Sequence, residues 1–273
     1  MASRMARILI LCKTYPSPSA KHVETSCVAG LDDQGKFIRL FPVPFRLVRD
    51  EQQFKKWQWI NVRIQKAKGD RRPESHKIFV DTIDCSEDPL PTHAGWSDRR
   101  AALDGVAVFS DFAALEADRQ CAGTTIGLLK PDTIISLDIT PERPDWTDEE
   151  RKKLEASERQ NGLFDAADQR ELAMLRKIPF SFHYCYTCKV GGETKEYRHK
   201  IADWEAGALY RNCVRNYGDD WEAPFRRKLG EALPAADLHF LMGTIHRFPK
   251  QWLIISLIYP PRKTPDLQGS LFG

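Results

Sequence analysis

The stretch ETSCVAGLDDQGKFIRLFPV, residues 24–43, decides the fold class of the N-terminal part of the chain. It holds two extended runs, and the tetrad Asp32-Asp33-Gln34-Gly35 between them is typical of a hairpin turn. The runs RILILCK before it, and WQWINVRIQKA and HKIFVDTID after it, are short, apolar and bounded by polar segments. Five short strands with tight connections predict a small barrel of the OB type.

The middle and the last third of the chain show different patterns. Thr147 and Glu150 form a capping-box pattern ahead of a charged segment with almost no apolar face. The runs IPFSFHYCYTC, DLHFLMGTIHRF and QWLIISLIYPP then return to strand patterns around a helix, ADWEAGALYRNCVRNYG. We therefore expect an α+β protein with two OB-like small β-barrel modules joined by a helical acidic segment. The expected parts are an N-terminal OB-like module with a short helix at 1–140, a charged helical connector at 141–176, a β-rich module with an inserted helix at 177–262, and a flexible tail at 263–273.

Composition is typical of a globular cytoplasmic protein. The chain has 273 residues, of which 42% are hydrophobic, and no apolar run approaches the roughly 20 residues that span a bilayer. The N-terminal segment lacks a signal-peptide pattern. Seven scattered cysteines, an odd number, argue against a disulfide framework. We expect reduced thiols and no membrane association.

Charge is distributed unevenly along the chain. Residues 1–76 carry a net charge of +8, residues 77–175 carry −10 and residues 176–273 carry +5. Basic ends suit a polyanion, because Lys and Arg contacts to phosphate supply most non-specific affinity for nucleic acid. An even spread over a solvated surface would give the same counts, so the charges favour nucleic acid without defining a site.

The segment WQWINVRIQ separates into two faces, because strand side chains alternate. One face carries Ile60, Val62 and Ile64, and the other carries Trp57, Trp59, Asn61, Arg63 and Gln65. Tryptophan rings stack on unpaired bases, and arginine contacts phosphate or adds cation–π attraction. Packing of this face under the LVRDEQQF loop is the alternative, and for Trp57 it is at least as good an interpretation.

Two loops add cations beside the strands. KTYPSPSAKH contains Lys13 and Lys21, and GDRRPESHK contains Arg71 and Arg72. Lysine and arginine side chains on such loops are natural phosphate contacts. The predicted nucleic-acid-binding residues are therefore Lys13, Lys21, Trp57, Trp59, Arg63, Arg71 and Arg72.

Four residues are weak candidates for catalysis. Glu74 and His76 could act as an acid–base pair, although their spacing does not require it. Asp203 and Glu205 lie at a helix start, where capping and the helix dipole already explain carboxylates. Carboxylates with a histidine or lysine could also hold Mg²⁺ for phosphodiester cleavage. The sequence contains no glycine-rich phosphate loop and no nucleophile elbow, so the catalytic residues remain unassigned.

A cysteine–histidine cluster offers a possible structural zinc site. HYCYTCKVGGETKEYRH contains Cys185 and Cys188 at metal-ligand spacing, followed by His199. His183 or Cys213 could complete a tetrahedral set. A second Cys-x2-Cys pair is missing, and Gly191-Gly192 equally suits an ordinary hairpin turn.

Several stretches together resemble a family of uncharacterised bacterial proteins described as containing a dual OB-fold domain. They are CKTYPSPSAKHVETSCVAG, FIRLFPVPFR, QFKKWQWINV, RPESHK, DWE, DLHFLMGTIHRFP and WLIISLIYPP. The resemblance implies two OB-like folds and, by analogy of fold, nucleic-acid binding. The family carries a Cys/Cys/Gly-His cluster just before Asp-Trp-Glu; here Arg198 precedes His199 where that pattern has glycine.

The C-terminal segment QGSLF resembles the short peptide by which bacterial replication and repair proteins dock on the sliding clamp. Gln268, Ser270, Leu271 and Phe272 match that peptide, and Gly269 departs from it at a variable place. Packing of the tail against its own module is the alternative. The resemblance implies that the bacterial sliding clamp is a partner.

These observations predict a bacterial DNA-binding protein in which an aromatic and basic surface, favouring single strands, is recruited to DNA by a clamp-binding tail. A role in DNA repair or phage defence would suit such a protein. Two alternatives stay open from other classes. One is a DNA-acting enzyme, either a nuclease or a modified-base sensor that restricts DNA, and the other is a protein–protein adaptor.

Overall fold

The structure is a computed structural model that describes residues 2–19, 23–152 and 176–262. Its strands are β1 (Arg4–Lys13), β2 (Ser17–Ser19), β3 (Val23–Asp32), β4 (Phe37–Val43), β5 (Trp59–Lys66), β6 (Ser75–Ile78), β7 (Val108–Phe109), β8 (Ile126–Leu129), β9 (Thr133–Pro141), β10 (Phe180–Val190), β11 (Glu193–Ile201), β12 (His239–Thr244) and β13 (Trp252–Ile258). Its α-helices are α1 (His93–Ala102), α2 (Phe112–Ala122), α3 (Trp204–Tyr217) and α4 (Glu222–Arg226). Within these ranges no helix is long and apolar enough to cross a membrane.

Five strands of the N-terminal part close into a barrel. The order around it is β1, β5, β6, β4 and β3, and β3 pairs back with β1. The predicted hairpin is confirmed as β3 and β4, and its turn contains a hydrogen bond from the Gly35 N–H to the Asp32 carbonyl oxygen at 3.0 Å. Side chains along β5 alternate, so Ile60, Val62 and Ile64 fill the barrel core. The α+β class and a small β-barrel are thus confirmed.

The C-terminal part forms one seven-stranded sheet. Its order is β7, β8, β12, β13, β11, β10 and β9, with β7 and β9 at the edges. The sequence predicts a second barrel here, and the structure has this sheet instead. Tyr184, Tyr186 and Phe240 from the sheet are fully buried against Phe225 of α4. Large aromatic side chains therefore dominate this core.

The division between the two sheets differs from the expected module boundary at residue 140. Strand β8 pairs with β12, and β9 pairs with β10, so residues 108–141 lie in the second sheet. The predicted capping box is confirmed, because the Thr147 N–H bonds Glu150 Oε2 at 2.9 Å and the Glu150 N–H bonds Thr147 Oγ1 at 3.3 Å. The rest of the expected connector, residues 153–175, lies outside the described residues.

The barrel and the sheet share a third hydrophobic core. Leu9 and Leu31 on the outside of the barrel pack with Ile126, Leu241 and Ile255 of the sheet, and each of these side chains is buried. The Cys12 thiol also donates to the Ile255 carbonyl oxygen at 3.0 Å. The two parts therefore pack through buried apolar side chains.

Candidate nucleic-acid interface

The outward face of β5 forms as predicted from Trp59 onward. Trp59, Asn61 and Arg63 alternate with the buried aliphatic residues of the strand. The Arg63 side chain is 42% exposed and lies 3.9 Å from the Asp81 carboxylate. Its guanidinium group stands 4.4 Å from the centre of the Phe79 ring. Arg63 is thus accessible to a phosphate.

Trp57 does not belong to this face, and its prediction as a base-stacking residue is wrong. It precedes β5, has a positive φ of 67°, and is only 3% exposed. Its ring packs edge-on against Trp96, with centroids 5.8 Å apart. The left-handed backbone interrupts the strand alternation, and side-chain identities in the sequence give no sign of that interruption.

Trp59 is half-buried, and a cation already covers its ring. The Arg7 guanidinium group lies 4.5 Å from the indole centre. Glu87 holds that guanidinium through two hydrogen bonds, of 3.0 and 2.7 Å. Base stacking on Trp59 would require Arg7 to leave its position.

Two of the predicted loop cations have structural roles, which corrects their assignment as phosphate contacts. Lys13 donates to the Phe54 carbonyl oxygen at 3.0 Å and lies 3.7 Å from the Phe45 ring centre. Burial lowers the pKa of Lys13 to about 8. Arg72 Nη2 binds Asp70 Oδ2 at 2.6 Å, and Arg72 Nη1 donates to the Thr244 carbonyl oxygen at 2.7 Å. Lys21 lies outside the described residues.

Arg72 and Asp70 join the β5–β6 loop to the β12–β13 hairpin. The Asp70 carboxylate lies 3.2 Å from His246 Nδ1. Burial alone would raise the pKa of the Asp70 carboxyl, but its hydrogen bonds with Arg72 hold that pKa below its usual range. The two segments thus form one continuous surface, which we call the loop–hairpin surface. Its exposed members are Lys68, Arg71, His246, Arg247, Phe248 and Lys250.

This surface carries exposed positive charge that no carboxylate of the described residues neutralises. Within the described ranges, Lys68, Arg71, Arg247 and Lys250 make no ion pair with a carboxylate. Phe248 is 57% exposed between the last two of these cations. The runs DLHFLMGTIHRF and QWLIISLIYPP, which the sequence predicts as strands, form this hairpin. The predicted binding residues do not include its tip, although the cluster HRFPK sets an aromatic ring among basic residues at a turn.

The tip of the hairpin is held by its own backbone. The Ile245 N–H donates to the Gln251 carbonyl oxygen at 3.1 Å, the Phe248 N–H donates to Ile245 at 3.1 Å, and the Gln251 N–H donates to Phe248 at 2.8 Å. Three hydrogen bonds within seven residues fix the direction in which Phe248 leaves the surface.

Glu74 and His76 do not form the predicted acid–base pair. The Glu74 carboxylate binds buried Arg39 at 3.0 Å and also accepts from the Thr125 hydroxyl. His76 Nδ1 lies 2.7 Å from the Glu74 backbone carbonyl oxygen, and burial lowers the pKa of this histidine. Glu74 therefore links the barrel to the second sheet.

Asp203 and Glu205 are likewise engaged locally. Asp203 is 4% exposed, caps α3 by accepting the Glu205 N–H at 2.9 Å, and accepts the Leu257 N–H at 2.9 Å. The Glu205 carboxylate binds the Lys56 ammonium group at 3.1 Å. Capping and interstrand bonding thus account for both carboxylates.

The predicted zinc ligands are split between two faces of the sheet. Cys185 and Cys188 are three residues apart on β10, so strand alternation points them in opposite directions. Cys185 donates to Asp138 at 3.2 Å, and Cys188 is buried in the core of the second sheet. His199 is paired in register with Tyr184 and lies over the Phe112 ring at 4.4 Å, whereas His183 shares the face of Cys185. Among the residues that the structure describes, no three or more His, Cys, Asp or Glu side chains are placed to hold a metal ion.

A cavity of about 230 Å³ lies beside α3. Tyr15, Trp146 and Phe180 contribute to its walls, and Glu142 binds Lys200 inside it at 2.8 Å. This ion pair neutralises two of the charged side chains that line the cavity.

Comparison with known families agrees with the two-part architecture. Residues 109–272 match a family described as a domain of unknown function, DUF8757. The chain belongs to the DUF8757 family. Residues 4–105 match a second domain of unknown function, DUF8758. The DUF8758 match covers the barrel and α1, and the DUF8757 match covers the seven-stranded sheet with its helices. No curated protein matches the chain.

Proposed function

We propose that this protein binds DNA that offers unpaired bases, and that it does so through the loop–hairpin surface. The observation that carries the proposal is the set of four exposed cations without carboxylate partners in the described ranges, two of which, Arg247 and Lys250, lie within two residues of the exposed Phe248. Cations neutralise phosphate and release counterions, while an aromatic ring accepts a stacked base. A surface of this composition fits a polynucleotide better than a protein or a membrane.

The barrel supports the same proposal, and we assign it to the OB-fold class. Its strands follow a Greek-key path, because β5 returns to lie beside β1 after the β1, β3 and β4 meander. OB barrels bind oligonucleotides with the loop between their fourth and fifth strands, and here that loop connects β5 and β6. It is the barrel half of the loop–hairpin surface.

The other usual OB binding surface, the face of the second and third barrel strands, is covered in this protein. On β3 and β4, Ala29 and Leu31 pack into the shared core, and Arg39 donates to the Thr125 carbonyl oxygen at 3.1 Å. Because this face is covered, nucleic acid would bind at the β5–β6 loop of the barrel. That loop carries Lys68 and Arg71, two of the cations without a carboxylate partner in the described ranges.

The C-terminal peptide with Gln268, Leu271 and Phe272 lies outside the described residues, and we propose that it docks on the bacterial sliding clamp. A tether of this kind raises the effective concentration of the protein at DNA, so weak binding by the loop–hairpin surface becomes sufficient. Retention of the full chain by immobilised clamp should be lost in a variant lacking residues 265–273 and in Leu271→Ala/Phe272→Ala. Equal retention of all three proteins would contradict the docking proposal.

The DNA-binding proposal is tested by removing the cations in a matched pair of variants. Arg71→Ala/Arg247→Ala/Lys250→Ala removes three charges from the surface. Lys36→Ala/Lys55→Ala/Lys195→Ala removes three exposed charges elsewhere, so both variants have the same net charge. Fluorescence anisotropy with a labelled single strand, measured over a range of salt concentrations, gives the affinity and its salt dependence.

Only the first variant should lose affinity. On a single strand, each phosphate contact that is removed lowers the magnitude of the slope of log K against log salt by about 0.7, so three contacts lower it by about 2. The control variant should keep the wild-type slope. Equal losses in both variants would show that only net charge matters and would contradict the proposed surface.

A further inference from the structure

We infer that Phe248 is a wedge that stacks on an interrupted base pair, so that the preferred ligand is DNA with a junction between single and double strands. This inference rests on the proposed function and specifies its ligand. The inference depends on the hairpin tip and on the cations of the loop–hairpin surface.

The number of exposed rings favours a junction over a continuous single strand. Proteins that follow single strands stack successive bases on several aromatic side chains. Phe248 is the one Phe, Tyr or Trp residue among the exposed members of the loop–hairpin surface, and the imidazole ring of His246 is held 3.2 Å from Asp70. Trp57 is sealed in the interior, and Trp59 lies under Arg7. A single phenyl ring can stack at one position, such as the junction where a duplex opens into a single strand.

The position of the ring fits insertion. Phe248 stands at the hairpin tip with 57% of its surface exposed, and its N–H and carbonyl groups are both hydrogen-bonded within the turn. Pro249 follows it and fixes its own φ, which limits the freedom of the turn further. A turn whose backbone is already ordered loses little backbone entropy when the ring that it carries binds a ligand. Apolar side chains that kink or unstack DNA are inserted between base steps in this manner.

Cations flank the ring in the chain. Arg247 directly precedes Phe248 and Lys250 follows two residues later, while Arg71 is next to Arg72, which donates to the Thr244 carbonyl oxygen of the hairpin. Positive charge close to the ring on both sides in sequence suits contacts to phosphates that flank an unstacked base. The exposed ring of Phe41, at 48%, lies on β4 between Leu40 and Pro42 with no cation next to it in the chain. It therefore provides a matched control.

The experiment uses three oligonucleotides of one sequence: a single strand, a blunt duplex, and a duplex with a single-stranded extension. Each carries 2-aminopurine at the position of the junction, because the fluorescence of this base rises when it is unstacked. The full chain and the variants Phe248→Ala, Phe248→Tyr and Phe41→Ala are compared for affinity and for 2-aminopurine fluorescence.

The wild-type protein should bind the junction about tenfold more tightly than the blunt duplex, since stacking contributes this order of magnitude per base. Binding should raise the 2-aminopurine signal. Phe248→Ala should lose both the preference and the signal, while keeping salt-dependent binding within about threefold of the wild-type blunt-duplex value. Phe248→Tyr should restore both, and Phe41→Ala should behave as the wild type.

Two results would overturn the inference while leaving the proposed function intact. One is a Phe248→Ala variant that keeps the junction preference and the fluorescence signal. The other is wild-type protein that binds the single strand at least as tightly as the junction, without unstacking. Failure of the wild type to bind any of the three oligonucleotides would instead refute the proposed function and the inference together.

Discussion

At the scale of single residues, the buried pair of Arg39 and Glu74 links the two sheets. Their side chains are only 2% and 8% exposed, and Arg39 also reaches the Thr125 carbonyl oxygen. Removing one partner from a buried pair leaves the other charge uncompensated. Glu74→Ala should therefore lower the free energy of unfolding by about 3–5 kcal/mol, as measured by urea denaturation.

Two variants make this prediction specific. Glu222→Ala, which breaks an exposed pair with Arg226, should cost less than about 1 kcal/mol. Arg39→Met/Glu74→Leu should recover most of the stability lost in Glu74→Ala, because two apolar side chains leave no buried charge. If Glu74→Ala unfolds no more easily than Glu222→Ala, the pair does not join the modules energetically.

His199 gives a prediction about pH. Burial lowers its pKa to about 4, whereas an unfolded histidine titrates near about 6.5. The folded state thus keeps a neutral ring while the unfolded state binds a proton, so this contribution is complete above about pH 6.5 and is lost as the pH falls toward 4. The loss is roughly 3 kcal/mol.

The variant His199→Asn tests the assignment, because asparagine can still bond the Tyr186 hydroxyl, 3.0 Å away, but does not titrate. Its stability should fall less steeply than that of the wild type between pH 6.5 and 4. The exposed His93→Asn should keep the wild-type slope. Titration of Asp138 falls outside this pH range. Its hydrogen bond with Arg198 lowers the pKa of the Asp138 carboxyl to about 2, so its contribution to folding stability is lost only below about pH 4. Parallel curves for His199→Asn and the wild type would contradict the assignment.

At the scale of secondary-structure elements, barrel closure depends on Gly30. It lies where β3 pairs with β1, opposite a β-bulge, and a Cβ atom at this position would overlap the Leu9 carbonyl oxygen. That neighbour is backbone and cannot rotate away. Gly30→Ala should therefore destabilise the protein by about 3 kcal/mol or more in thermal or urea unfolding. Gly69→Ala, in open space on a loop, should change stability by less than about 0.5 kcal/mol, and a similar value for Gly30→Ala would refute the close approach.

Local patterns explain which elements the sequence predicts. The β3–β4 hairpin and the β5 alternation depend on neighbours in the chain, so period-two spacing and turn residues identify them. Trp57 does not point to the outward face of β5, because the strand begins only at Trp59 and the alternation of side chains does not extend to residues before it. The possible zinc site does not assemble around Cys185 and Cys188, because residues three apart on a strand point to opposite faces. Local pattern therefore predicts elements better than it predicts side-chain partners.

Long-range contacts explain what the sequence misses. Residues 126–141 read as part of the first module, but they pair with strands β10 and β12, which begin only at Phe180 and His239. The loop–hairpin surface joins Asp70 to His246, which no spacing rule connects. Arg71 was identified from its basic loop alone, whereas Arg247 and Phe248 needed the hairpin to be placed beside that loop.

At the scale of the whole molecule, the shared core predicts cooperative unfolding. Leu9 and Leu31 of the barrel and Leu241 and Ile255 of the sheet exclude water from the contact between modules. Neither part can separate without exposing these side chains, which costs hydrophobic free energy. Calorimetry of the full chain should show one transition. Two resolved transitions would show that the DUF8758 and DUF8757 regions unfold independently.

The central claim is that DNA contacts the loop–hairpin surface, and backbone hydrogen exchange of the full chain with and without saturating junction DNA tests it most directly. Slower exchange is expected in two segments far apart in sequence, residues 67–74 and 245–251, and unchanged exchange is expected in strand β5. Bound DNA that leaves both segments unprotected, or protects β5 and its neighbour β1 instead, would contradict the central claim.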